Sequence, residues 1–283
     1  MILEKTIDGV KKQVKEWKAQ GLSVGFVPTM GFLHEGHQSL IKRAVEENDK
    51  VVVSVFVNPI QFAPSEDLEA YPRDLDADMK LCEETGADML FNPEVFEMYG
   101  DTFTTFVDMT GVTQELCGKS RPTHFKGVCT VVNKLFNIVT PDKAYFGQKD
   151  AQQLAVIRRM VRDLNMNLKI VGCPIIREQD GLAKSSRNTY LSAEERKAAL
   201  VLSKAIFAGQ QMVQNGEKDG DKVLRIMTDI IEAEPLARID YVEMVKWDTI
   251  EVCHEINGPI LVAIAVYIGK TRLIDNFIYG MED

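Results

Sequence analysis

Two histidines three residues apart, His34 and His37, lie in the stretch Pro28-Thr29-Met30-Gly31-Phe32-Leu33-His34-Glu35-Gly36-His37. An apolar run, Val24 to Val27, precedes it, and Leu40, Ile41, Ala44 and Val45 follow at helical spacing, so the stretch reads as a strand-to-helix turn. Gly31 and Gly36 permit backbone angles closed to other residues, while the first helical turn directs unpaired N–H groups outward. Such a turn binds phosphate. With both histidines in that first turn, their imidazoles share one helix face and meet the anion that the N–H groups hold.

Four further stretches carry polar chemistry. Lys143-Ala144-Tyr145-Phe146 reads as a short strand, and Gly147-Gln148-Lys149-Asp150 opens a helix running through Leu154, Ile157 and Val161. This second glycine-led turn brings an ammonium group to the carboxyl end of a strand, where α/β sheets bind ligands. Lys149 suits phosphates; Asp150 suits ribose hydroxyls or simply a helix N-terminus, and the spacing leaves both open. Asn58-Pro59-Ile60-Gln61-Phe62-Ala63-Pro64 follows the β-branched run Val51 to Val57, and its prolines predict a stiff extended loop. The amides of Asn58 and Gln61 can read a hydroxyl or a carboxylate, or serve turn chemistry alone. Asp180-Gly181 predicts a hairpin turn leading into Leu182-Ala183-Lys184-Ser185-Ser186-Arg187-Asn188. Asp74, Asp76 and Asp78 sit at the start of another helix, where acids complement the dipole; Asp76 or Asp78 is also the place to expect Mg²⁺ steered through water.

His34-Glu35-Gly36-His37 after such a strand is the signature of the nucleotidyltransferase superfamily, whose members attack ATP at its α-phosphate. The longer strings resemble the pantothenate synthetase (pantoate–β-alanine ligase) family: Pro28 to His37, Asn58-Pro59-Ile60-Gln61-Phe62, Arg121-Pro122-Thr123-His124-Phe125, Phe146-Gly147-Gln148-Lys149-Asp150 and Ser185-Ser186-Arg187-Asn188. The resemblance implies that ATP is bound by Met30, Gly31, Phe32, Leu33, His34, Glu35, Gly36, His37, Gly147, Gln148, Lys149, Asp150, Ile176, Lys184, Ser185, Ser186 and Arg187. It implies pantoate at Gln61 and Gln153, β-alanine near Gln61 and Asn58, catalytic roles for His34, His37 and Lys149, Mg²⁺ with the ATP, and a homodimer. Lys184 departs from the methionine associated with its position. Arg121 is expected as a cation at the site mouth, and His124 as a capping or packing residue.

The elements that position these groups follow from periodicity. Ile7, Val10, Val14 and Trp17 predict an amphipathic helix over residues 4 to 20. Residues 88 to 91 and 103 to 108 read as strands, and Phe125, Val128, Val132, Leu135, Phe136 and Val139 form the stripe of a helix that ends before Pro141. Alternating strands and helices predict an α/β fold: a Rossmann-like parallel sheet in an N-terminal domain, residues 1–175. Helices at about 193 to 214 and 219 to 233, then strands near 238 to 246, 260 to 268 and 272 to 279, predict a smaller α+β domain, residues 176–283, and the hydrolysis-prone adenylate that the resemblance implies makes this domain the expected lid. His254 sits in a polar connection and is expected to face solvent.

Composition narrows the function classes. A formal charge of −9, from 42 acids against 33 bases, works against a nucleic-acid footprint. Five scattered cysteines without a Cys-x-x-Cys pair indicate neither a disulfide framework nor a zinc site. No signal peptide is legible and the most apolar tract, Ile260 to Ile268, is too short to span a bilayer, so a cytoplasmic protein without membrane partners is expected. Two alternatives stand beside the ligase: a transferase that shares the first motif and adenylylates a phosphorylated metabolite, and a nucleotide-binding sensor without turnover. The fate of AMP separates ligase from transferase, since a ligase frees it and a transferase leaves it in the product; ATP binding without pantoate-dependent pyrophosphate exchange would mark the sensor.

Overall fold

A computed structural model describes residues 1–281 apart from 65 and 67. The chain divides into two compact units: Met1–Met109, Thr123–Gln148 and Val156–Pro174 in the first, and Thr110–Pro122, Lys149–Ala155 and Ile175–Asp283 in the second. The second unit thus gathers two short stretches from earlier in the chain.

The first unit is built on six parallel strands: β1 (Ile2–Glu4), β2 (Val24–Thr29), β3 (Lys50–Val55), β4 (Met89–Phe91), β5 (Lys143–Gly147) and β6 (Lys169–Cys173), in the order β1-β4-β3-β2-β5-β6. Helix α1 (Ile7–Ala19) packs with α6 (His124–Val139) on one face, where Phe26 meets Phe136 edge-on and Phe136 meets Phe146. Helices α2 (Glu35–Glu47) and α3 (Leu75–Thr85) cover the other, with Leu40, Ile41 and Ala44 seated on Val27, Val51 and Val53. Each such buried Leu or Ile contributes about 1.5–3 kcal/mol, which is what holds α2, and the turn that starts it, against the sheet. From β2 the chain moves to β3 on one side, while β5 lies on the other. That reversal puts the carboxyl ends of β2 and β5 side by side, the place where open α/β sheets receive ligands.

Four expectations are corrected. The first helix begins at Ile7 rather than residue 4, because Glu4 accepts the N–H groups of Lys5 and Thr6 and Thr6 caps the helix, leaving Ile2–Glu4 to pair with Met89–Phe91 as an edge strand. Residues 103 to 108 form no strand: the N–H of Val107 donates to the Thr130 hydroxyl on α6, so a side chain takes the place of a neighbouring strand. Pro59 to Gln61 is a 3-10 turn and not an extended loop, since the fixed φ of a proline at the first position favours helical winding. Residues 193 to 214 are two helices, α8 (Ala193–Ala198) and α9 (Leu200–Gln214), parted at Ala199, where Leu202 bonds three residues back. Between these lie the short helices α4 (Val95–Tyr99) and α5 (Cys117–Ser120), and α7 (Ala151–Asp163).

The second unit carries a three-stranded antiparallel sheet, β7 (Ala237–Lys246), β8 (Ile260–Ile268) and β9 (Thr271–Tyr279), with α9 and α10 (Gly220–Glu232) packed on it. Leu202, Ile206, Val223, Met227, Ile264 and Phe277 form its core. The predicted hairpin is present: Gly181 has φ +96 at the turn, and Arg177 and Ala183 face each other as an antiparallel bridge. Among the described residues no helix is long and apolar enough to cross a membrane, and all five cysteines are free.

Candidate active site

The turn leaving β2 is held in an uncommon backbone shape. Gly31 has φ +85 and Phe32 has φ +52, two successive left-handed residues, the second costly for a bulky side chain. Asp78 on α3 stabilises them. Its two oxygens accept the N–H of Phe32 at 2.9 Å and of Leu33 at 2.6 Å, and the Thr29 hydroxyl accepts the N–H of Gly31 at 3.1 Å. A Cβ on Gly31 would stand 2.8 Å from Val55 and 2.9 Å from the Asp78 carboxylate, so no larger residue fits. Burial pushes the Asp78 carboxyl above its usual range, while the Leu33 and Phe32 N–H groups pull it back. With 2 % exposure and both oxygens engaged, Asp78 organises the loop rather than offering the water-bridged metal position expected of it. Asp76 lies on the same first turn of α3, exposed.

The histidines close the N-terminus of α2 in a reciprocal capping box. His34, the N-cap, accepts the Gly36 N–H through Nδ1 at 3.1 Å, and His37 accepts the His34 N–H through Nδ1 at 3.3 Å. The rings lie 4.2 Å apart, centroid to centroid. A ring nitrogen that accepts an N–H carries no proton, so the neutral form of each imidazole bears its hydrogen on Nε2. The turn therefore sets two Nε2–H donors on one helix end, half-buried, with Glu35 exposed between them.

Asn58 and Gln61 sit beside the same strand ends. Asn58 Nδ2 donates to Gln61 Oε1 at 3.0 Å and to the Gly127 carbonyl at 3.2 Å, and Gln61 Nε2 lies 3.1 Å from Met30 Sδ. His124 is buried with Nδ1 3.1 Å from the Gln61 carbonyl oxygen, while Thr123 holds the N-cap position; His124 thus packs and does not cap. Following β5, a Cβ on Gly147 would meet nothing within 4 Å, so the backbone there stands open to an approaching group.

In the second unit, Lys149 extends its ammonium to 3.8 Å from Asp150, which is exposed. A small cavity is lined by Lys149, Ala183, Ser185, Asn188 and Asp275 among others. Ser185 caps the 3-10 turn Ser186–Tyr190 by accepting the Arg187 N–H at 3.3 Å, and Ser186 is buried. Lys184 is tied to the hairpin by its N–H, which donates to the Ile176 carbonyl at 2.9 Å. Arg196 joins Glu178 at 2.8 Å and Glu178 in turn accepts from Asn188 at 3.1 Å, so the serine-arginine segment is braced from behind. Of the adjacent glutamines, Gln152 is buried and spends its amide on Val112, Glu115 and Cys117, whereas Gln153 is half-buried. Arg121 ends α5. His254 is exposed and bonded to Asp221 at 2.7 Å.

Two residues of the strand predicted near 272 to 279 bear on the Lys149 turn. Asn276 on β9 is buried and donates to the Lys149 carbonyl at 2.8 Å. Asp275 beside it takes Arg177 in a two-point grip at 2.6 and 2.9 Å and accepts the Asn276 N–H at 2.8 Å. A polar Asp-Asn pair interrupting an apolar strand was the available signal.

A parallel sheet whose order reverses beside β2, with a His-x-Gly-His capping box on one strand end and a glycine-led turn on its neighbour, defines an α/β nucleotide-binding enzyme. The chain belongs to the Pantoate-beta-alanine ligase family, whose sequence model matches residues 2–278. It is 66% identical to a pantothenate synthetase of Ruminiclostridium cellulolyticum over 96% of each chain, and 60% identical to one of Enterococcus faecalis over 100% of each. A crystal structure of pantothenate synthetase from Thermus thermophilus superposes with TM-score 0.93 at 45% identity, covering 98% of this chain and 99% of that one. A pantoate-beta-alanine ligase from Francisella tularensis, solved in complex with beta-gamma ATP and beta-alanine, gives 0.80 at 35% identity, covering 98% and 97%.

Proposed function

We propose that this chain joins pantoate to β-alanine at the expense of ATP, releasing AMP and pyrophosphate. A carboxylate does not acylate an amine at neutral pH, because its leaving group would be oxide. A pantoate carboxylate oxygen therefore attacks the α-phosphorus of ATP, the bond to the bridging oxygen breaks and pyrophosphate departs. The amine of β-alanine then attacks the acyl carbon of the pantoyl adenylate, AMP leaves, and the amine proton passes to solvent.

The task is positioning and charge stabilisation, with no protein nucleophile needed. In this reading the Nε2–H groups of His34 and His37 and the ammonium of Lys149 stabilise charge developing at the α-phosphate. Met30 to Glu35, Gly36, Gly147, Gln148 and Asp150 hold ATP, together with Ile176, Lys184, Ser185, Ser186 and Arg187. Gln61 and Gln153 take pantoate, and Asn58 and Gln61 take β-alanine. The single observation that carries the reading is the capping box, which fixes two imidazole donors on one helix end. It is supported by the Francisella relative's complex with ATP and β-alanine.

Among the described residues no group of three His, Cys, Asp or Glu could hold a metal, and the Asp78 carboxylate is occupied. Mg²⁺ accordingly belongs to the reaction as the counter-ion of ATP, carried on the phosphates. A homodimer, a cytoplasmic setting that keeps the five cysteines reduced, and a lid role for residues 176–283 belong to the same proposal. The test is to mix ATP, Mg²⁺ and pantoate with and without β-alanine. Pantothenate with equal AMP and pyrophosphate supports the ligase; AMP retained in a product favours a transferase, and binding without turnover favours a sensor.

A further inference from the structure

The side-chain amide of Gln61 is oriented by a chain of donors and acceptors that begins on α4. A backbone carbonyl can only accept, so the 3.2 Å approach of Asn58 Nδ2 to the Gly127 oxygen fixes which end of the Asn58 amide is which. Oδ1 of Asn58 then faces the Tyr99 hydroxyl at 2.6 Å, and that hydroxyl must donate. The remaining hydrogen on Nδ2 goes to Gln61 Oε1 at 3.0 Å, which leaves Gln61 presenting Nε2 on its far side, toward Met30 of the phosphate-binding turn. Asn58 is 1 % and Gln61 8 % exposed, so reversing Gln61 would set a buried donor against a donor, and reversing Asn58 an acceptor against the Gly127 carbonyl.

We infer that Tyr99 is a positioning residue for the ligase reaction: by donating to Asn58 Oδ1 its hydroxyl locks the Asn58 amide in the orientation that the Gly127 carbonyl selects, and so holds Gln61 offering substrate an N–H donor and not a carbonyl. The inference rests on the ligase reading and extends it to specificity. A donor at that point selects a substrate with an acceptor oxygen there, as the carboxylate and hydroxyl of pantoate provide. The ring of Tyr99 is held independently of its hydroxyl, 4.9 Å from Phe103 and 6.1 Å from Phe56, centroid to centroid, with the Lys134 ammonium 5.8 Å above it. Burial pushes the phenol well above its ordinary value of 10.0, so the donated proton is retained at any working pH. The polarity of the chain is thus chosen by the Gly127 carbonyl and held by the Tyr99 hydroxyl.

Tyr99→Phe removes the hydroxyl and keeps the ring. The expected result is a rise of about tenfold in KM for pantoate with KM for ATP unchanged, together with a lowered thermal midpoint because the buried Asn58 Oδ1 loses its donor. In a Gln61→Ala background the same change should have no further effect on kcat/KM for pantoate, because Tyr99 acts through Gln61. Asn58→Asp, with two acceptor oxygens, should turn Gln61 around and cost more than Tyr99→Phe. A pantoate KM within about twofold of wild type in Tyr99→Phe, or an undiminished effect in the Gln61→Ala background, would overturn the inference. Wild-type protein unable to join pantoate to β-alanine would overturn the ligase reading itself, and this inference with it, before any variant is made.

Discussion

His37 accepts the backbone N–H of His34 through Nδ1 at 3.3 Å, so the second imidazole helps close the helix end on which the first is mounted. In the proposed reaction, structure and chemistry are thereby divided between the two nitrogens of one ring: Nδ1 serves the fold and the Nε2–H stabilises charge on the phosphate. The division can be separated by substitution. His34→Asn keeps a side-chain acceptor at the N-cap and should hold stability to within about 1 kcal/mol. Pantoate-dependent pyrophosphate release should nevertheless fall by at least about a hundredfold. Thermal unfolding and pyrophosphate release on the same preparation check both halves; near-normal turnover would remove His34 from the chemistry.

Gly127 on α6 is the contact that lets the 3-10 turn carrying Gln61 lie where it does. A Cβ there would stand 2.5 Å from Gln61 Cα and 2.5 Å from the Ile60 carbonyl oxygen, both backbone atoms that cannot swing aside. Gly127→Ala should destabilise the protein by about 1–3 kcal/mol. It should also raise KM for pantoate more than KM for ATP. Chemical denaturation alongside steady-state kinetics would decide; a variant with unchanged pantoate KM would show that the turn tolerates displacement.

The grip of Asn276 on the Lys149 carbonyl predicts a different signature. Asn276→Asp is close in shape but sets an acceptor against an acceptor, at a site only 4 % exposed. A loss of about 1–3 kcal/mol in stability is expected. KM for ATP should rise while KM for β-alanine stays put, and a uniform fall in kcat with both KM values intact would argue against a link to Lys149.

The reach of the sequence differed between the two kinds of structure in this chain. Glycine spacing and β-branched runs announced β2, β3 and both strand-to-helix turns, because those features act over a few residues and one backbone. The segment 103 to 108 misled for the same reason: Phe103 and Phe106 have strand propensity, but whether a strand forms depends on a neighbour, and Thr130 on α6 stands there instead. Likewise the histidine pair was legible from its three-residue spacing, whereas the direction of the Asn58 and Gln61 amides depends on Gly127 and Tyr99, 69 and 41 residues from Asn58. Asp78 belongs with these. Its place at a helix start suggested dipole or metal chemistry, and only the fold brings it to the N–H groups of Phe32 and Leu33, 46 and 45 residues away.

Acid sensitivity should trace in part to α2. The Arg43 guanidinium bonded to Glu47 at 2.9 Å, aided by Lys143 and Tyr145, holds the Glu47 carboxyl down to about 2 from an ordinary 4.5. A carboxyl depressed in the folded state stabilises above its unfolded value, and that contribution is lost as pH falls from 4.5 toward about 2. Glu47→Gln should therefore lower stability at pH 6 yet show a smaller further loss on acidification. Urea unfolding at pH 6 and pH 3 measures this; equal losses in the two proteins would rule the pair out as an acid-labile brace.

The decisive measurement concerns which atom of ATP the carboxylate attacks. Pantoate labelled with ¹⁸O in its carboxylate is turned over with ATP, Mg²⁺ and β-alanine, and the nucleotide and pyrophosphate are weighed by mass spectrometry. Attack at the α-phosphorus delivers one labelled oxygen to AMP and none to pyrophosphate. Unlabelled AMP, or label in inorganic phosphate with ADP as the nucleotide product, would contradict the pantoyl adenylate and the roles given to His34, His37 and Lys149.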